Sequence, residues 1–207
     1  MNLQFLNRGY WVRCYNEGEI IIPEITVTDI DGNVYETVQI GDQLWMKENL
    51  KVTHYNNGDE IQYVQSESSE PNVWANLSTG AYGYYNDDLS HQEIYGNLYN
   101  WYAVETGNLA PEGWHVPTDD EYTALTDYLG GESVAGGKLK ECTSGSCPES
   151  EYWNSPNTGA TNESGFTGLP GGYRYYGSGS YDQVGLGGDF WSSTENVSSS
   201  AWNRTLN

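Results

Sequence analysis

The sequence predicts one α+β domain with two helices, short antiparallel strands and long ordered loops. Three observations support this fold class. Residues 25–40 alternate between apolar and polar side chains around an Asp-Gly pair, residues 116–131 have the spacing and end signals of a helix, and the chain after residue 131 consists of short β-like pieces set among Gly, Asn and Ser. A chain of 207 residues is long enough to bury a core of its own.

The strongest strand signal is a hairpin in the first third of the chain. The runs EITVTDI (24–30) and VYETVQI (34–40) alternate, and Asp31-Gly32 between them is a preferred turn pair. Asp29, Asp31 and Asn33 have the spacing of a calcium loop. However, the closing Glu and flanking helices of an EF-hand are missing, so a plain turn is the better interpretation.

Two helices are expected. Residues 96–106 carry apolar residues at helical spacing. In the second segment, Thr118 and Glu121 form a capping box, and Gly130-Gly131 ends the apolar period. Residues 56–94 are polar and rich in Gly, Asn and Ser, which predicts long loops, and little helical period follows residue 131.

Charge restricts the partners that the protein can have. The chain has 29 acidic and 8 basic residues, a formal net charge of −21. Such a surface repels nucleic acid phosphates and anionic membranes, and favours a cation, an uncharged glycan or another protein. No run approaches the roughly 20 apolar residues of a transmembrane helix, so no membrane span is expected.

The three cysteines indicate a compartment. Cys142 and Cys147 bracket the short segment CTSGSC, which predicts a disulfide and therefore an oxidising environment. A reduced pair in an exposed loop is the alternative. Cys14 is then left over and is expected to be buried as a small hydrophobe.

The sequence contains none of the residue patterns of common enzymes. His54, His91 and His115 show no triad or zinc-protease spacing, and there is no nucleophile elbow or phosphate-binding loop. We therefore expect no catalytic residues, no enzymatic activity and no cofactor. The acidity is compatible with calcium, for which the sequence identifies no ligands.

Several strings read in order resemble one family. They are YGNLYNWYAV (95–104), LAPEGWHVPTDDEYTALTDYLGG (109–131), GFTGLPGGYRYY (165–176), FWSSTE (190–195) and SAWNRTLN (200–207). Together they are similar to the FISUMP domain, the Fibrobacter succinogenes major paralogous family, over residues 25–207. The resemblance implies a C-type-lectin-like fold, related to formylglycine-generating enzymes, in secreted or surface-anchored bacterial proteins. The cysteine pair that those enzymes use in the C-terminal part of the domain has no counterpart here.

The order of the segments departs from the family pattern. Family members continue past the equivalent of SAWNRTLN into a strand similar to GYWVRC, and here GYWVRC occupies residues 9–14. Residues 1–15 are therefore interpreted as a displaced C-terminal strand, residues 16–24 as a linker and residues 25–207 as the domain. The strand, with Tyr10, Trp11, Val12 and Cys14, either closes on its own domain or completes a neighbouring molecule, which would give a head-to-tail filament. A chain cut across a tandem repeat is the third interpretation.

The function expected is a binding or adhesion module outside the cell or on its surface. The candidate ligand-binding residues for a glycan or protein are Tyr173, Tyr175, Tyr176, Tyr181, Trp202 and Arg204, with Trp191 beside them. The tyrosines lie among glycines, where a core is hard to build, whereas Trp191 and Trp202 are better interpreted as core rings. The alternative function is a self-assembling extracellular filament subunit.

Overall fold

The computed structural model describes residues 26–66, 73–197 and 200–207. Within these residues four α-helices and ten strands in three small sheets form an α+β structure, as predicted. The helices are α1 (Leu89–Tyr95), α2 (Trp101–Glu105), α3 (Asp119–Tyr128) and α4 (Glu132–Leu139). The strands are β1 (Thr26–Thr28), β2 (Val34–Ile40), β3 (Gln43–Met46), β4 (Gln62–Tyr63), β5 (Ala81–Gly83), β6 (Leu98–Tyr99), β7 (Gly171–Arg174), β8 (Tyr181–Val184), β9 (Gly188–Val197) and β10 (Ser200–Leu206). Across the described part of the chain, every helix falls short of the length and apolarity needed to cross a bilayer.

The predicted hairpin is confirmed. β1 and β2 pair antiparallel with Thr28 opposite Val34, and β3 extends the sheet to three strands. The buried Asp29 carboxylate closes the turn by accepting hydrogen bonds from the backbone N–H groups of Asp31 and Asn33, both at 2.9 Å. Asp29 is therefore a turn-forming residue, as the missing EF-hand features indicated.

The predicted capping box of α3 is also confirmed. The Thr118 hydroxyl accepts from the Glu121 backbone N–H, and the Glu121 carboxylate accepts from the Thr118 backbone N–H at 2.8 Å. Three acidic side chains occupy the first turn, where the helix dipole stabilises them. The opposite face buries Tyr122 and Leu125 against Trp45, whose ring centroid lies 5.5 Å from that of Tyr122.

The prediction of two helices is wrong in number. The segment 96–106 divides into a two-residue strand, β6, and the short helix α2, because Leu98 and Tyr99 pair with β5 rather than with neighbouring residues in a helix. The helix α1 and the strands β4 and β5 lie in the stretch expected to be loops. The helix α4 contains Gly136 and Gly137, which lower helix propensity. For this reason the sequence pattern did not predict a helix there.

The Gly-rich second half forms the largest sheet. Its strand order is β10-β9-β7-β8, with β9 and β10 antiparallel and a single parallel register pair between β7 and β9. The short β-like pieces expected after residue 131 are therefore confirmed as strands. The sheet places the β7–β8 hairpin at one side and β10 at the other.

The predicted disulfide is present. Cys142 and Cys147 are bonded, with their Cα atoms 5.2 Å apart. Disulfides persist in oxidising compartments, so this bond agrees with a location outside the reducing cytosol. Cys14, the displaced strand at 1–15 and the linker at 16–24 lie outside the described residues.

Candidate binding surface

The first candidate surface is the tip of the β7–β8 hairpin. Tyr175 and Gly179 close the loop through backbone hydrogen bonds, the Tyr175 N–H donating to Ser180 and the Gly179 N–H donating to Tyr175, both at 2.8 Å. Beyond them Tyr175 is 45% exposed and Tyr176 is 76% exposed, with ring centroids 4.8 Å apart. These two rings, which we name the hairpin patch, therefore project into solvent from a closed turn.

The base of the hairpin is attached to Asp87. Its carboxylate accepts hydrogen bonds from the hydroxyls of Tyr181 (3.0 Å) and Tyr63 (3.2 Å), and from the backbone and side chain of Ser66 (2.9 and 2.6 Å). Burial acts to raise the pKa of Asp87, but these hydrogen bonds outweigh it and hold the pKa below its usual value. Tyr181 is half-buried, and burial with its bond to Asp87 raises the pKa of its phenol. The Tyr181 hydroxyl is thus occupied inside the protein rather than offered to a ligand.

Arg174 provides the second attachment. Its guanidinium lies 3.9 Å from the ring centroid of Trp74 and 4.9 Å from that of Tyr181. Its Nη1 donates to the Val64 carbonyl at 2.5 Å and its Nε to the Gly179 carbonyl at 2.9 Å. One arginine therefore ties the hairpin loop to the residue that directly follows β4.

The close fit at this base requires a glycine. A Cβ at Gly83 would come within 2.5 Å of Arg174 Nη1 and 2.7 Å of the Tyr181 hydroxyl. Strand β5 therefore passes directly under the two side chains. Tyr173, the remaining tyrosine of the predicted set, is half-buried on β7 and pairs with Asp182 across the hairpin.

The second candidate surface is on β10. Trp202 is 46% exposed, so the expectation that it is a core ring is wrong. Within the described part of the chain it lies on an edge strand of the sheet, and a side chain there can face water. Trp191 agrees with the core interpretation, because its half-buried indole N–H donates to the Tyr99 carbonyl at 2.8 Å and its ring packs on Trp101.

Arg204 has structural partners next to Trp202. Its guanidinium pairs with the Asp119 carboxylate in the first turn of α3 and lies 6.0 Å from the ring centroid of Tyr122. The Asp119 backbone N–H also donates to the Thr194 hydroxyl of β9 at 2.9 Å. Arg204 therefore fixes β10 to the N-terminus of α3.

The predicted residues divide into two separate groups. β8 and β10 are opposite edges of the four-stranded sheet, three strand spacings apart, or about 14 Å. Tyr175 and Tyr176 are exposed together at the hairpin tip, and Trp202 is exposed on β10. Tyr181 and Arg204 instead contact other residues of the protein, Asp87 and Asp119. The supporting residues Asp87 and Trp74 were missed, since nothing near them in the sequence indicates a contact with residues about 100 positions later.

The described residues do not identify ligands for a metal ion. Across the described ranges, no three His, Cys, Asp or Glu side chains are grouped as a metal site would require. Two His–carboxylate pairs are present, His54 Nδ1 with Asp31 Oδ1 at 2.6 Å and His115 Nε2 with Glu121 Oε2 at 2.8 Å. Calcium dependence stays a prediction.

Comparison with known families decides the relationship. A family model described as the Fibrobacter succinogenes major domain matches residues 38–207. The chain belongs to this family. No curated protein and no solved structure matches it.

The matched range of the Fibrobacter succinogenes major domain begins inside β2 and runs to the end of β10. It includes the capped helix α3, the β7–β8 hairpin and the β9–β10 pair, so both candidate surfaces lie within the family domain. Several polar residues of the motif FWSSTE have structural partners here. Ser192 is fully buried and accepts from the Thr194 N–H, and Thr194 caps α3 through Asp119.

Proposed function

We propose that this domain is a non-catalytic binding or adhesion module of C-type-lectin-like fold, located outside the cell or on its surface. The observation that carries the proposal is the hairpin patch, two adjacent exposed tyrosines on a hairpin attached at its base through Arg174 and Asp87. Rigid tyrosines supply a large contact area at low entropic cost. A pre-positioned pair loses less freedom on binding than a flexible loop would.

Charge and redox state support the same proposal. A net charge of −21 disfavours anionic partners, which leaves a glycan or a protein as the ligand. The Cys142–Cys147 disulfide fits an extracellular location. The absence of recognisable catalytic motifs from the sequence supports a non-catalytic role.

Removing both rings of the hairpin patch tests this function. We expect the variant Tyr175→Ala with Tyr176→Ala to bind its ligand at least about tenfold more weakly, because each exposed ring contributes contact area. The ligand is first found on glycan and purified surface-protein arrays, and affinity is then measured by calorimetry. Tyr128→Ala is the matched control, since this tyrosine is 67% exposed at the end of α3. Equal affinity of the unmodified chain, the double variant and Tyr128→Ala would show that the hairpin patch does not bind the ligand.

A self-assembling filament subunit is the second candidate. It is favoured by the strand-like segment at residues 9–14 and by the position of β10, which is an edge strand within the described part of the sheet. Open strand edges accept further strands. In this function residues 1–15 of one molecule would pair with the sheet of the next, producing an open head-to-tail polymer.

Light scattering over a dilution series with negative-stain microscopy tests the filament. We expect long polymers for the unmodified chain, their loss in Trp11→Ala, and little change in Arg13→Ala, because the tryptophan would be the buried anchor. A sharp monomer at every concentration would contradict self-assembly.

A further inference from the structure

A groove between β4 and α2 shares no lining residue with either candidate surface. It is an open groove with a volume of about 500 Å³. One wall carries Tyr55, Glu60 and Gln62, and the other carries Tyr102, Glu105 and Thr106. Gly80 forms part of the floor.

The two-residue spacing at β4 and the helical spacing on α2 place these side chains on the groove side of each element. Glu60 and Gln62 are two residues apart and exposed, while Ile61 between them is buried in the core. On α2 and just beyond it, Tyr102, Glu105 and Thr106 lie at the spacing of one helical face, while Ala103 and Val104 are buried on the other. The backbone that forms both walls is thus anchored by core residues.

Tyr55 contributes a hydroxyl to the lining of the groove. Its position is fixed by a tight turn, in which its N–H donates to Asp59 and its carbonyl accepts from Gly58, both at 2.8 Å. Its hydroxyl lies over Gly80, where a Cβ atom would come within 1.8 Å of it. Among the residues that the structure describes, none forms a hydrogen bond with this hydroxyl.

The protonation state of Tyr55 suits hydrogen bonding to a neutral partner. A tyrosine hydroxyl is protonated at neutral pH and can both donate and accept, and burial raises the pKa of this phenol further. A hydroxyl without a protein partner is satisfied by water or by a ligand.

The rest of the lining defines the ligand class. Tyr102 is 43% exposed and offers a ring face, while Gln62, Ser78 and Thr79 supply neutral polar groups. The Thr106 hydroxyl is already bonded to the Ala103 carbonyl and the Asn108 N–H. Glu60 and Glu105 accept hydrogen bonds and repel anions, and no basic residue is among the described lining residues. We propose that this groove binds a neutral glycan chain, whose hydroxyls bond to the polar lining and whose ring faces pack on Tyr102.

Calorimetric titration of the full chain tests the groove directly. The probes are neutral hexasaccharides of glucose, xylose and mannose, an anionic galacturonate hexamer and a cationic glucosamine hexamer. We expect at least one neutral hexamer to bind and the anionic hexamer to give no signal. Tyr102→Ala should weaken binding about tenfold and Tyr55→Phe, which removes only the hydroxyl, about fivefold.

Two controls separate this site from the hairpin patch. Tyr128→Ala and the double variant Tyr175→Ala with Tyr176→Ala should both bind the hexamer unchanged. Three results would overturn the proposal: no heat from any neutral hexamer at about 10 mM, tighter binding of the cationic hexamer than of the neutral ones, or affinity that survives both groove variants. Because the double variant tests the hairpin patch alone, failure of one site leaves the other open.

Discussion

Replacing Arg174 with alanine is expected to lower the free energy of unfolding by about 3 kcal/mol. The guanidinium lies between the rings of Trp74 and Tyr181 and donates to the carbonyls of Val64 and Gly179. Alanine would remove both ring contacts and leave two carbonyls without their donor. Chemical denaturation of the purified variant measures the change.

Arg174→Lys is the matched control for charge. Lysine keeps the positive charge but lacks the planar fork that reaches both carbonyls at once. We therefore expect it to recover only a minor part of the lost stability. Full recovery by lysine would show that charge alone, rather than the bidentate geometry and ring stacking, holds the hairpin.

Arg174→Ala should also lower ligand affinity at the hairpin patch, although Arg174 is not one of its two rings. Tyr175 and Tyr176 follow Arg174 directly on the loop that the arginine ties to Val64 and Gly179. Once released, this loop must be ordered again at each binding event, which lowers affinity. Unchanged affinity in a destabilised variant would mean that the patch does not depend on its base.

The sequence predicts those features that are local. The turn at Asp31-Gly32 and the capping box of Thr118 and Glu121 are encoded within a few residues, and the structure confirms both. The Cys142–Cys147 bond likewise closes a loop of neighbours. Short-range hydrogen bonds and close spacing are enough to specify such features.

Features that depend on distant contacts could not be predicted. The sequence pattern predicts a helix at Leu98 and Tyr99, but these residues form a strand that pairs with β5. Trp202 has the residue type of a core ring, yet its edge strand leaves it 46% exposed. The groove joins Tyr55 to Tyr102 across about 50 residues, and only the fold brings them together.

The candidate tyrosines show the same division. All of them lie among glycines in sequence, which predicted a common exposed face. The structure exposes Tyr175 and Tyr176 but turns Tyr181 inward to Asp87, a residue 94 positions earlier. The glycines indicate where the hairpin lies. Whether each tyrosine ring is exposed or buried depends on the distant residues that the fold brings into contact with it.

Replacing Asp87 with alanine is expected to cost about 3 kcal/mol, comparable to the loss of Arg174. The carboxylate accepts from two tyrosine hydroxyls and from Ser66, and hydrogen bonds to a charged acceptor are the stronger kind. Asp87 also has a φ of +55°, which alanine tolerates poorly. Asp87→Asn keeps this backbone conformation, so it isolates the charge and should cost less, about 2 kcal/mol, since the group is partly in water.

The same carboxylate predicts a pH dependence of defined sign. Because the pKa of Asp87 is lowered in the folded state, its contribution is complete above the ordinary aspartate value, about 3.9, and is lost as the pH falls through the folded-state value. The stability difference between the unmodified chain and Asp87→Asn should therefore be constant between about pH 5 and 8 and shrink below about pH 4. Subtracting the two denaturation curves at each pH cancels the other carboxylates. A difference that persists undiminished at about pH 2 would show that the carboxylate charge does not hold the hairpin base.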